Sequence, residues 1–220
     1  MVSLLDIIGP VMVGPSSSHT AGACRIGLFA RALAGGQPDR AKVELHGSFA
    51  RTGVGHGTDR AIAGGLLGLQ PDDERLRQSL ELAEAGDLAI TFGNAKLRGE
   101  HHPNTVRITV TRGDRTVSVT GSSIGAGRIT ITEIDGYPVD ITGAFPTLVF
   151  VAPDVPGIVA AATSALAGES ANIATMRVSR RRKGGEAIHV YELDAPASDR
   201  AVEAIRALGV RMVRAVPRVA

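Results

Sequence analysis

FPTLVFVAPDVPGIVAAATSALAG, residues 145–168, joins two kinds of local structure. FPTLVFVAP (145–153) is an almost unbroken apolar run of strand length, which predicts a buried strand. DVPGIVAAATSALAG then predicts a helix, with Asp154 as a possible N-cap and Pro156 in the first turn. Working downstream, a strand is expected at 173–182, a Lys-Gly-Gly turn, and a strand at 186–193. A helix at 198–208 capped by Ser198 and a strand at 210–216 complete the series. The order β-α-β-β-α-β is ferredoxin-like, with two short helices on one face of a four-stranded antiparallel sheet. It occupies residues 144–220, and the join near Thr142-Gly143-Ala144 is short.

Upstream, residues 1–143 have a different rhythm and form a separate α+β unit. A helix is expected at 20–34, capped by Ser18 or Thr20, with Ile26, Phe29, Ala30 and Leu33 on one face and Gly35-Gly36 at its end. AKVELHGSFA (41–50) alternates, which predicts a strand with His46 and Ser48 on its polar face. RTGVGHGT is a glycine-punctuated loop into a helix at 59–69, capped by Thr58 or Asp59 and ending near Pro71. A third helix spans 73–85. Strands follow at 88–93, 105–112, 116–121 and 128–134, and Asp135-Gly136 signals a hairpin into YPVDI.

Composition narrows the function classes. Of 220 residues, 44% are apolar but only 3% aromatic, so the cores rest on Ala, Val, Ile and Leu. Net charge is +2, and the one basic run, Arg180-Arg181-Arg182-Lys183, precedes a Gly-Gly pair and reads as a solvated hairpin tip. Without aromatic stacking partners it makes no case for nucleic acid. The single cysteine, Cys24, sits in a small-residue helix and is expected to be a buried packing thiol. It permits no internal disulfide and cannot supply the several cysteines of a zinc or iron–sulfur site. MVSLLDIIGPVMVG has no basic leader and is interrupted by Asp6 and Pro10, so neither a signal peptide nor a membrane span is expected; the default location is cytoplasmic.

One cluster exceeds what a core needs. GPSSSHTAG (14–22) gathers Ser16, Ser17, Ser18, His19 and Thr20 at a helix start, and GVGHGTD (53–59) puts His56 just before another. Helix N-termini offer unpaired N–H groups and a favourable dipole to anions, and they disfavour a cationic imidazole. On spacing alone, catalysis and simple anion binding are both open, as is plain helix capping. GVGHGT has neither the P-loop nor the Rossmann spacing. His102-Pro103-Asn104 is either a turn or part of a ligand cleft.

In the second unit, DVPGIV after the first strand and ANIATM opening the second resemble an ACT domain. In that family the corresponding loop and strand often hold an amino-acid effector. The resemblance implies Asp154, Gly157 and Asn172 as an effector site, with helix N–H groups for the carboxylate and Asp154 and Asn172 for the ammonium.

MVGPSSSHTAGA, LHGSFARTGVGHGTDRA, HPN and SSIGAGRI, in that order and followed by an ACT-like unit, resemble the beta chain of iron–sulfur-dependent L-serine dehydratases. Ala126 departs from the family pattern, where glycine is expected. The resemblance implies an α/β-sandwich of allosteric-substrate-binding type, related in shape to one in D-3-phosphoglycerate dehydrogenases. It implies conversion of L-serine to pyruvate and ammonia by L-serine ammonia-lyase chemistry. The cofactor would be a [4Fe–4S] cluster held by cysteines of a partner alpha subunit, not pyridoxal phosphate (PLP). His19 and His56 would handle protons or orient substrate, and Ser16, Ser17, Ser18 and Thr20 would hold its carboxylate or support the histidines. Ser48 and Asn104 would line the same cleft. Serine is expected as substrate and possible effector, in a beta homodimer or heterotetramer. The competing expectation is a stand-alone amino-acid-binding regulatory protein without catalysis.

Overall fold

The computed structural model describes residues 9–97 and 99–220; the N-terminal run expected not to be a leader lies partly outside them, at residues 1–8. The chain divides into two compact units. One is built on residues up to Gly136 with Asp140–Thr142 and Ala220, the other on Gly143–Val219 with Tyr137–Val139.

The first unit is a six-stranded sheet with helices on one face. In chain order its elements are a π-helical turn (Ser17–Gly22) running into α1 (Ala23–Ala34), β1 (Arg40–Leu45), α2 (Gly47–Thr52), a 3₁₀ turn (Val54–His56) and α3 (Thr58–Leu67). A 3₁₀ turn (Glu74–Gln78) leads into α4 (Ser79–Ala85), then β2 (Ala89–Asn94), β3 (Thr105–Arg112), β4 (Arg115–Gly125), β5 (Arg128–Ile134) and β6 (Tyr137–Ile141). The sheet order is β2-β1-β3-β4-β5-β6, with β2 parallel to β1 and the β1–β3, β3–β4 and β4–β5 pairs antiparallel. Ile26, Phe29, Leu33, Ile62 and Leu66 from the helices are buried with Val43, Ile108, Val119 and Ile131 from the strands. The opposite sheet face is polar, with Lys42–Glu44 and Arg107–Glu133 ion pairs at 2.9 and 3.6 Å, as expected where an antiparallel sheet is covered on one side only.

Two expectations fail here for one reason. The strand predicted over 41–50 ends at Leu45, and His46 and Ser48 are not strand neighbours. Gly47 takes φ +55°, and a Cβ there would stand 2.5 Å from the Pro103 carbonyl oxygen. The His46 and Ser48 N–H groups are drawn to the Thr105 and Pro103 carbonyls at 2.9 and 2.7 Å, which turns the chain into α2. The caps differ too. Ser16, in extended conformation, accepts the His19 N–H, whereas Thr20 is buried. Gly57 rather than Thr58 or Asp59 starts α3, and Gly68 at φ +90° ends it before Pro71. Ala126 adopts φ +51° between Gly125 and Gly127, a left-handed conformation that costs an L-residue about 1–2 kcal/mol.

The second unit comprises β7 (Thr147–Pro153), α5 (Ile158–Ala167), β8 (Ile173–Arg180), β9 (Glu186–Leu193), α6 (Asp199–Arg206) and β10 (Met212–Val216), in sheet order β10-β7-β9-β8. This is the ferredoxin-like arrangement predicted. Phe150, Tyr191, Leu166 and Ile205 are at its core. His189 is buried there, stacked on Phe150 at 4.4 Å between ring centres, and burial pushes its pKa down to about 4. Ser198 caps α6 through the Ala201 N–H. Asp154 does not cap α5: Gly157 at φ +96° does, so Pro156 precedes the helix, and the Asp154 carboxylate is taken by Arg180 at 2.7 Å. Among the described residues no helix is long and apolar enough to cross a membrane.

In the first unit α1 and α3 cross with their backbones touching. A Cβ on Gly27 would lie 2.6 Å from the Ile62 carbonyl oxygen, and one on Gly65 would run into the Cys24 carbonyl. Overpacking of this kind costs about 1–3 kcal/mol. Gly65→Ala is therefore expected to lower the melting temperature by about 3–10 °C. Gly55→Ala, where a methyl meets nothing within 4 Å, should leave it within about 2 °C; thermal unfolding followed by circular dichroism checks both.

Candidate active site at two helix starts

The glycine-mediated crossing sets the start of α3 beside the turn that opens α1. His19 lies in the π-helical turn and is buried; His56 ends the 3₁₀ turn before α3. Their ring centres are 4.9 Å apart at an angle of 35°, and the edge of Phe49 closes on His19 at 5.2 Å.

Each ring is held by short polar side chains or backbone. His19 Nδ1 is 3.4 Å from Ser16 Oγ, which also accepts the His19 backbone N–H. His19 Nε2 is 3.2 Å from Thr52 Oγ1 and 3.4 Å from Ser48 Oγ. His56 Nδ1 lies 2.9 Å from the Thr52 carbonyl oxygen. A carbonyl only accepts, so Nδ1 carries the proton and the neutral His56 ring has its lone pair on Nε2. Burial lowers the His19 pKa below its ordinary value, the neighbouring His56 lowers it further, and Ser48 partly offsets both.

Beside the pair is an open groove of about 450 Å³, lined by Gly14, Thr20, His56, Gly57, Arg60 and Arg77 among others. Thr20 is 3% exposed, and its hydroxyl has no hydrogen-bond partner among the described residues. Gly14 approaches so closely that a Cβ there would collide with the Thr20 side chain. Arg60 is in the first turn of α3, and among the described residues no carboxylate pairs with its guanidinium. Arg77 is exposed and pairs with Glu74 at 3.3 Å. An unpaired cation, a helix start and an unsatisfied buried hydroxyl around one groove suit a small anion.

Of the residues singled out from sequence, the fold brings together Ser16, His19, Ser48 and His56, with Thr20 in the adjoining groove wall. Ser17 and Ser18 make no side-chain hydrogen bond among the described residues. Asn104 does not line this groove: its N–H donates to His102 Nδ1 at 3.1 Å, and its loop supports the start of α2 through the Pro103 carbonyl. His46 lies 6.0 Å from His101 instead. In the second unit Asp154 is engaged by Arg180 and the Gly184 N–H, Asn172 donates to Asp194 at 2.7 Å, and Gly157 caps α5. Sequence inspection missed Thr52, Arg60 and Arg77. The spacing Ser48, Thr52, His56 is i, i+4, i+8, which becomes informative once the segment is seen as helical rather than extended.

No metal centre is formed by this chain's described residues: no group of three or more His, Cys, Asp or Glu is placed to hold an ion. Cys24 is fully buried, donates to the Leu69 carbonyl at 3.3 Å, and has its thiol pushed up to about 12, so it does not suit cluster ligation.

A sequence model of the family described as serine dehydratase beta chain matches residues 3–133, and one for the ACT domain matches residues 147–210. The chain belongs to the serine dehydratase beta chain family. It is 43% identical to the probable L-serine dehydratase, beta chain, of Bacillus subtilis, over 94% of this chain and 93% of that protein. It is 38% identical to the L-serine dehydratase, beta chain, of Peptoniphilus asaccharolyticus, again over 94% and 93%. It also resembles a D-3-phosphoglycerate dehydrogenase of Synechocystis, 31% identical over 79% of this chain and 31% of that protein. Family membership agrees with the α/β unit followed by an ACT unit described above.

The paired rings make a titration prediction. His19 is expected to titrate below about 6.5, staying neutral at pH 7. In His56→Ala its midpoint should rise toward the ordinary value, as one of the two lowering influences is gone. The imidazole C–H resonances of the folded chain report this directly; an unchanged His19 midpoint would contradict the electrostatic contact.

Proposed function

We propose that this chain acts as the beta subunit of an L-serine dehydratase, an L-serine ammonia-lyase, and that it contributes the His19–His56 pair and the neighbouring groove to the reaction. The observation that carries the proposal is the contact of two imidazoles, one with an open lone pair, beside a groove holding a guanidinium that pairs with no carboxylate among the described residues. Elimination from serine needs a base for the Cα proton and a fixed carboxylate. His56 Nε2 takes the proton, forming an imidazolium that the neutral His19 tolerates. Arg60, the α3 N–H groups and the Thr20 hydroxyl hold the carboxylate, a charge-assisted arrangement stronger than neutral hydrogen bonds. Loss of the proton and of hydroxide leaves aminoacrylate, which becomes an imine and hydrolyses to pyruvate and ammonia.

The single cysteine of this chain, buried and un-ionised, does not suit a [4Fe–4S] cluster; on this proposal the cluster would be held by cysteines of a partner alpha subunit. Ser16 and Ser48 support His19 rather than touch substrate. The order of the chain, a site-bearing unit then an ACT unit, fits a catalytic contact at one end and regulation or association through the other.

The test is anaerobic pyruvate formation from L-serine by this chain with its cluster-loaded alpha partner. His56→Ala should lower kcat by about 10²–10⁴-fold, the range for loss of a general base. Arg60→Ala should raise KM about 10-fold or more while kcat changes by less than about 3-fold, as loss of ground-state binding requires. No turnover from the loaded pair of wild-type chains, with serine still binding to this chain, would favour the amino-acid sensor instead.

A further inference from the structure

We infer that Thr52, through two different atoms, fixes the two histidines in opposite tautomers. The inference rests on the proposal that this pair handles the substrate proton. Thr52 closes α2, four residues after Ser48 and four before His56. Its hydroxyl donates to the Ser48 carbonyl oxygen at 3.0 Å, the usual back-bond of a helical threonine. That hydrogen bond uses the only proton Oγ1 has. The oxygen therefore presents a lone pair to His19 Nε2, 3.2 Å away, and Nε2 must carry hydrogen. The His19 lone pair is left on Nδ1, 3.4 Å from the Ser16 hydroxyl, which donates to it.

The carbonyl of the same residue imposes the reverse on His56. It accepts from Nδ1 at 2.9 Å, so the lone pair of that ring is on Nε2. Ser48 Oγ completes the set, 3.3 Å from Thr52 Oγ1 and 3.4 Å from His19 Nε2. One exposed threonine thus determines which nitrogen of each ring can receive a proton. Thr52 touches no reacting atom on this account; it is a positioning residue. Its hydroxyl governs His19 alone, whereas its carbonyl governs His56 and survives any substitution of the side chain.

That division supplies the test. Thr52→Val keeps the β-branched shape and the carbonyl but removes the hydroxyl; Thr52→Ser keeps both polar atoms. Imidazole ¹⁵N spectra of the full chain, at a pH where both rings are neutral, give each tautomer without any need for the partner or its cluster. In Thr52→Val, His19 Nε2 should move toward the unprotonated position as Ser48 becomes free to donate to it, while His56 stays protonated on Nδ1. In Thr52→Ser both rings should match the wild type. In the assembled enzyme Thr52→Val should lower kcat about 10–100-fold with KM within about 3-fold, the scale of a misplaced catalytic group, and Thr52→Ser should restore turnover.

Spectra of His19 that are identical in wild type and Thr52→Val overturn the inference. So does an equal change at both histidines in both variants, which would mark a merely structural role. A changed His19 tautomer with undiminished turnover leaves Thr52 as the positioning group and instead removes His19, though not His56, from the reaction.

Discussion

The backbone contact between α1 and α3 is the constraint on which the rest of the first unit depends. Gly27 and Gly65 let the two helices approach until each lies against a carbonyl of the other. Helices packed through ordinary side chains stand 8–10 Å apart; glycines at the crossing permit a closer approach. Because both helices open at the same end of that crossing, their first turns are brought side by side. His19 and His56, 37 positions apart in sequence, then meet at 4.9 Å between ring centres. The site is therefore a consequence of how the core packs, not a loop added to it.

That placement determines the electrostatics. Two imidazoles in contact at two helix starts are poorly disposed to share two positive charges, which agrees with the lowered pKa of the buried ring. The same helix starts favour anions, and in the groove beside them Arg60 has no carboxylate partner and the Thr20 hydroxyl no hydrogen-bond partner among the described residues. A ring held neutral and an anion-seeking groove are complementary requirements for removing a proton next to a carboxylate. On the proposed function, a substrate carboxylate would supply the charge the groove lacks, and a neutral ring the lone pair.

The second unit was legible in the sequence almost element by element. A buried strand, a small-residue helix and two strands around a glycine turn have strong and distinct periods, and Ser198 caps its helix as its position implies. The failures were local and had physical causes. Residues 41–49 alternate perfectly, yet the strand stops at Leu45, because Gly47 turns left-handed against Pro103. The alternation running on through Gly47 masks α2, and with it the four-residue spacing that links Ser48, Thr52 and His56. The histidines themselves were visible as chemistry out of place in a core. Arg60 and Arg77 were not, since a charged residue on a helix is ordinarily just a solvated one, and only the groove distinguishes them. Asp154 shows the converse error: a good capping residue by type, it is claimed by Arg180 once β8 lies opposite.

The central claim is that His19 and His56 act as one unit. A double-mutant cycle on kcat/KM of the assembled enzyme tests it most directly, using His19→Ala, His56→Ala and the combined variant. Residues that work as a unit are strongly non-additive, so the double variant is predicted to be no more than about 3-fold slower than the worse single one. Losses that multiply across the two positions would mean that the rings contribute independently, and would contradict the account.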